Sequence, residues 1–171
     1  MRSRASQSSE CRFRKIAIIA AVPVLICIWL AAAFLYLHRA GTLTLTDARS
    51  GEEYASYRMR PGDTFSVGFV HSVNKSPVTD CYEVRKDGIY VVKTVYYGFG
   101  AGVQTQLEEG QVLEYGDDGS MIITGFNQKM SDLVYFVGTV SDHTLTLNET
   151  TEISLRDLCG RNAMVRFSFH V

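Results

Sequence analysis

Residues 16–37 form a run of 22 consecutive uncharged, mostly apolar positions. A helix rises about 1.5 Å per residue, so such a run is long enough to cross the roughly 30 Å of hydrocarbon in a bilayer. Ahead of it stand Arg2, Arg4, Arg12, Arg14 and Lys15 against the single Glu10, a net of +4, and just behind it come only His38 and Arg39. That cation asymmetry predicts a cytoplasmic amino terminus and export of everything beyond Arg39. A cleavable signal peptide is the alternative, but its apolar region spans only about 7 to 15 residues. Here Ala31-Ala32-Ala33 lies inside the run, and a signal anchor fits better, with cleavage left open. The expected organisation is a basic cytoplasmic tail at 1–15, a transmembrane helix at 16–38 and an extracytoplasmic domain at 39–171. The protein is then a single-pass component of the cell (inner) membrane.

Beyond the anchor, strand signals dominate. Thr42 to Thr46 alternates threonine with leucine, the period of a strand with one buried face. Glu53 to Met59 alternates around Tyr54 and Tyr57, and Thr64 to Val70 places Phe65, Val67 and Phe69 on one face. Lys86-Asp87-Gly88 joins two strand-like runs, a strong hairpin signal because glycine supplies the positive φ that tight turns need. Gly116-Asp117-Asp118-Gly119 predicts a second hairpin, and Ser141-Asp142-His143, between 134–140 and 144–147, a third. Asp157-Leu158-Cys159-Gly160 has the form of one helical turn stopped by glycine. About ten short strands and no helix long enough for a βαβ crossover predict an all-β domain. The pattern fits an antiparallel sandwich or a partly open barrel.

Residues 41–171 carry 11 basic and 17 acidic side chains, a net charge near −6. A mildly acidic domain does not favour nucleic acid or anionic lipid through its own field. Polar chemistry and backbone freedom coincide around the central hairpin. His71, Ser72, Ser76 and Glu83 lie on one side of it, and Tyr97-Gly98-Phe99-Gly100-Ala101-Gly102 on the other. The two sets are expected to meet at one end of the ribbon. Alternate glycines let a backbone approach a ligand closely, and their N–H groups can cradle a carboxylate. His71, Ser72 and Glu83 are also the residue types of a nucleophilic relay, but no Gly-x-Ser-x-Gly elbow surrounds Ser72. No catalytic residue is therefore assigned. His71, His143 and His170 are scattered singly, without metal-ligand spacing, so no metal or other cofactor is expected. Cys81 and Cys159 share the exported domain, where a disulfide can form, although lone cysteines are as often buried small apolar residues.

Taken together, His71-Ser72-Val73, Ser76-Pro77-Val78, Glu83 and the Tyr97 to Gly102 loop resemble a bacterial family, the domain of unknown function 1850. The resemblance implies a small exported β domain associated with TRAP-type solute transporters of the TAXI class. It carries no activity over to these residues. The function expected is an anchored accessory domain whose partner is the transporter's membrane subunit or solute-binding protein. The alternative is a module that holds a small organic anion at His71, Ser72, Ser76 and the glycine loop. A serine hydrolase built on Ser72 and His71 is the third reading.

Overall fold

The structure, a computed structural model, describes residues 22–35, 39–73, 75–98 and 106–171. The chain divides into two units, Met1–Arg39 and Ala40–Val171. In the first, a helix (α1) occupies residues 22–35. The expected span of 16–38 is thus described over 14 residues, about 21 Å at 1.5 Å per residue. No helix among the described residues is long and apolar enough to cross a membrane. The rest of that run and the basic tail lie outside the described residues.

The second unit is all-β: two antiparallel sheets face each other, and neither closes into a barrel. The smaller sheet has β1 (Gly41–Asp47) at its centre beside β11 (Met164–His170). They are flanked by β2 (Glu53–Met59) and β8 (Leu133–Phe136), in the order β2-β1-β11-β8. The larger sheet is built on the ladder β3 (Thr64–Val70), β4 (Pro77–Arg85) and β5 (Gly88–Tyr96). Beyond β5 lie β7 (Met121–Lys129) and the edge strand β6 (Val112–Tyr115). Beyond β3 lie β9 (His143–Leu147) and the edge strand β10 (Thr151–Ser154). One short helix, α2 (Leu155–Cys159), joins β10 to β11; the Ser154 hydroxyl caps its first turn and Gly160, at φ 86°, ends it.

The alternation in the sequence becomes the core. Leu43 and Leu45 of β1 and Val165 and Phe167 of β11 face inward from one sheet, and Phe65, Val67, Val84 and Leu145 from the other. The Phe65 and Phe167 rings lie parallel with centroids 5.6 Å apart, tying sheet to sheet. Each such side chain contributes on the order of 1.5–3 kcal/mol by leaving water. The β4–β5 hairpin forms as expected: Arg85 pairs Gly88 around Lys86 and Asp87, with Gly88 at φ 146°. The β6–β7 hairpin forms too, with Tyr115 opposite Met121.

The third expected hairpin does not form. β8 pairs with β11 in the smaller sheet, and β9 pairs with β3 and β10 in the larger one. Residues 137–142 therefore cross between sheets. Val137, fully buried, exchanges backbone hydrogen bonds with Ala163 (2.9 Å) and Asn162 (3.0 Å). The Asp142 carboxylate, which looked like a turn residue, accepts from the Ser154 hydroxyl and from the N–H of Arg156 at 3.0 Å, fastening the crossing to the start of α2. Burial pushes against its charge, but these donors and the N–H of His143 hold Asp142 below the usual carboxylate range.

Candidate functional site

The loop after β3 closes on itself. The N–H of His71 donates to the Ser76 carbonyl at 2.9 Å, and the N–H of Lys75 donates to the His71 carbonyl at 3.0 Å. Lys75 takes the left-handed conformation, φ 56°, that so short a loop demands. The Val73 N–H donates to His71 Nδ1 at 3.3 Å, so the imidazole ties its own loop. This fold of the chain puts His71, Ser72 and Lys75 on one wall of a cleft of about 480 Å³. Phe136 and the sheet-crossing residues 138–141 line it from the smaller-sheet side, and Phe69, Val70 and His143 from β3 and β9. A volume of that size is within the roughly 300–1,000 Å³ typical of small-molecule sites.

Phe69 and His143 are paired in register, and their rings stack at 5.2 Å with planes 12° apart. His143 is only 9% exposed. Burial lowers its pKa, partly countered by the neighbouring Asp142 charge. The Gly138 N–H donates to His143 Nδ1 at 3.4 Å. The ring is accordingly neutral with its proton on Nε2, a tautomer fixed by the bond at the other nitrogen.

Behind these rings runs a second polar group, part-buried between the sheets. Tyr135 meets Phe69 and His143 edge-on, at 6.0 Å and 6.1 Å between centroids. Its hydroxyl donates to Asp80 Oδ2 at 2.8 Å, and Thr94 Oγ1 donates to Asp80 Oδ1 at 3.0 Å. The Tyr82 and Tyr135 oxygens are 2.6 Å apart. A phenol has one proton to give, and that of Tyr135 goes to Asp80, so Tyr82 is the donor to Tyr135. Burial raises the pKa of Asp80 against the pull of those two hydrogen bonds. Both tyrosines rise above the ordinary phenol range, chiefly through burial and then through the Asp80 charge.

The expected site residues are only partly brought together. His71 and Ser72 line the cleft; Ser76 does not, although its carbonyl closes the loop that shapes it. Glu83 is a correction. It pairs with Thr64 whereas Pro77 pairs with Val70, so about six residues of strand, roughly 20 Å at 3.4 Å each, separate it from His71. There it bridges to Arg85 at 3.1 Å, and no His71–Ser72–Glu83 relay is assembled. Tyr97 and Gly98 follow β5 at the same end of the larger sheet as His71, because Tyr96, Val78 and Phe69 form one row. Neither lines the cleft, and the Tyr97 hydroxyl donates to Asp118 at 2.7 Å. Phe99, Gly100 and Gly102 lie outside the described residues.

Cys81 and Cys159 are both free. Cys81 is on the outward face of β4, while Cys159 packs against the core from α2, so the sheet separates them. Burial pushes the Cys81 thiol up and the Cys159 thiol up to about 11, which suppresses thiolate chemistry at both. Among the described residues no group of three or more His, Cys, Asp or Glu is placed to hold a metal ion. Sequence reasoning missed Lys75, Phe136, Val140 and Ser141 as cleft residues. Lys75 stands inside the singled-out stretch, but the others enter the site only through the crossing mistaken for a hairpin.

The fold and site together define a two-sheet antiparallel β-sandwich with a cleft at one end, walled by the β3–β4 loop and the segment that crosses between sheets. The family model described as Domain of unknown function (DUF1850) matches residues 65–154, more than half of the chain, and the chain belongs to that family. Every cleft residue named above falls inside the match, whereas β1, β2, α2 and β11 fall outside it. No curated protein and no solved structure matches the chain.

Proposed function

We propose that the β unit is an extracytoplasmic binding module that takes a small organic anion into the cleft between the β3–β4 loop and residues 136–143. One observation carries the reading: among the described lining residues Lys75 alone has a permanent charge and none is a carboxylate, in a unit whose net charge is near −6. A cation in a concave site of a unit with net negative charge favours an anionic guest. The segment at 16–38 serves as the membrane anchor. The module then acts as an accessory to a TRAP-type solute transporter, handing its ligand to the transporter or sensing it. Thermal denaturation against a panel of organic acids tests the binding. Stabilisation is about 2.7 kcal/mol at a hundredfold excess of ligand over Kd, and a panel that leaves Tm unmoved sinks the proposal.

A docking role is the second reading, favoured by exposed apolar side chains near the mouth: Val70, Val73, Phe136 and Val140. Transporter subunits recovered with the tagged full chain from mildly solubilised membranes would support it. A reporter fused after Val171 that faces the cytosol would remove both readings together.

A further inference from the structure

The two walls of the cleft differ in chemistry. The β3–β4 loop supplies His71, Ser72 and Lys75, while the opposite side presents Phe136 and Val140, with the stacked Phe69 ring between. Among the described residues of the β unit, nine large apolar side chains are exposed, and three of them, Val70, Phe136 and Val140, line this one cleft. Val140 is 89% exposed and Phe136 51%, apolar surface left open among the described residues. Covering such surface yields about 25 cal/mol per Å². A fully polar guest would leave it wet. A guest with a second charge would meet no second cation among the described lining residues; the Arg156 guanidinium, which donates to the Val140 carbonyl at 3.0 Å, is not one of them. His143 does not stand in for one: its ring is buried against Phe69 and neutral, and it offers only an N–H.

We infer that the cleft selects an amphipathic monoanion, a single carboxylate on an aromatic or branched apolar body. Its head sits at Lys75 and Ser72 and its body against Phe136, Val140 and Phe69. This rests on the anion-binding reading above and narrows it. Dicarboxylates and small hydroxy acids are the wrong class, and so are neutral apolar molecules.

The test is titration calorimetry on the full chain in lipid nanodiscs, with empty nanodiscs as the blank and phenylacetate, phenylacetamide and succinate as probes. Phenylacetate should bind about tenfold or more tightly than either of the others, a difference of about 1.4 kcal/mol. Lys75→Gln should erase the preference for phenylacetate over phenylacetamide. Phe136→Ala should weaken phenylacetate several-fold and leave succinate unchanged. Both side chains are solvent-accessible, and unchanged circular dichroism and Tm would confirm that each variant folds. Succinate binding as tightly as phenylacetate, with the affinity still lost in Lys75→Gln, overturns the amphipathic assignment and leaves an anion site. Heat from none of the three probes overturns this assignment and the broader reading with it. Phenylacetate binding that survives both substitutions places the ligand elsewhere and overturns the assignment of this cleft.

Discussion

Two polar assemblies share the aromatic trio Phe69, Tyr135 and His143, and they are built to opposite ends. On the inner side, Tyr82, Tyr135, Thr94 and Asp80 pass hydrogen bonds to one another until the chain ends on the carboxylate. On the outer side, His71, Ser72 and Lys75 stand around a cleft, with backbone hydrogen bonds and the His71 imidazole holding the loop and Ser72 and Lys75 lining the space. A buried polar group costs stability unless it is paired, so the inner assembly is tolerable only because it is closed. The outer one can stay incomplete because water, or a ligand, completes it. In this sandwich the polar residues that hold the fold and those available for binding differ less in type than in whether their partners lie within the protein.

The largest effect should come from breaking the closed assembly at its acceptor. Asp80→Ala strips two part-buried hydroxyls of their acceptor and should cost about 2 kcal/mol or more. Asp80→Asn keeps one acceptor oxygen, and its amide can donate to Thr94, so about 1 kcal/mol is expected. Urea unfolding at unchanged m separates these values. The direction of the chain gives a sharper comparison. Tyr135→Phe removes the central link and orphans groups on both sides, at about 2 kcal/mol, whereas Tyr82→Phe removes only the terminal donor, at about 1 kcal/mol or less. Equal losses in the two phenylalanine variants would show that the donor direction is not the one assigned.

Acid–base behaviour sharpens the contrast further. The Asp80 carboxyl, raised by burial, keeps its proton in the folded state to a higher pH than in the unfolded chain. Above its ordinary value of 3.8 the folded state therefore binds more protons, and this group makes stability fall as pH rises until its folded value is passed. Two surface carboxyls work the other way. Asp47 is held down to about 2 by the N–H of Ser50 and the Tyr54 hydroxyl, and Asp118 to about 2 by the hydroxyls of Ser120 and Tyr97. Their contribution is present above 3.8 and is lost as pH falls towards 2. His143, lowered from 6.5, adds a rise in stability with pH below that value. Since wild type and Asp80→Asn share the other three groups, the difference between their Tm profiles from pH 2 to 7 isolates Asp80. The gap should close in the variant's favour as pH rises from about 4, by the linkage sign above; parallel profiles would mean that Asp80 titrates as an exposed acid does.

Local patterns carried most of this architecture, and non-local pairing accounts for what they did not carry. Thr42 to Thr46 and Thr64 to Val70 could be read directly as β1 and β3 because each buries one face of a strand. Asp87-Gly88 marked its hairpin because only glycine accepts the backbone that closes it. Ser141-Asp142-His143 misled because its residue types suit a turn, while Asp142 in fact fastens a sheet crossing to Ser154 and Arg156. Glu83 was grouped with His71 by nearness in the sequence, although antiparallel pairing puts the two at opposite ends of β4. Nothing periodic joins Asp80 to Tyr135, which meet across 55 residues, so this hydrogen-bonded chain was out of reach of any one-dimensional reading. The cleft shares that origin. His71 and Ser72 could be chosen as polar residues in a loop, but the apolar wall facing them depends on which sheet β8 joins.

The smallest effects are expected on the open side, and they are what the comparison most needs. Lys75 makes no ion pair among the described residues, and Val140 is almost fully exposed. Lys75→Gln and Val140→Ala should each leave unfolding stability within about 0.5 kcal/mol of wild type, as exposed substitutions away from caps and networks usually do. Suppose instead that either one cost more than about 1 kcal/mol, well outside that range. The cleft would then be load-carrying structure like the chain behind it, and the division between closed and open assemblies would fail. Stability unchanged alongside altered anion binding would place these residues where the geometry does, on a surface the fold can do without.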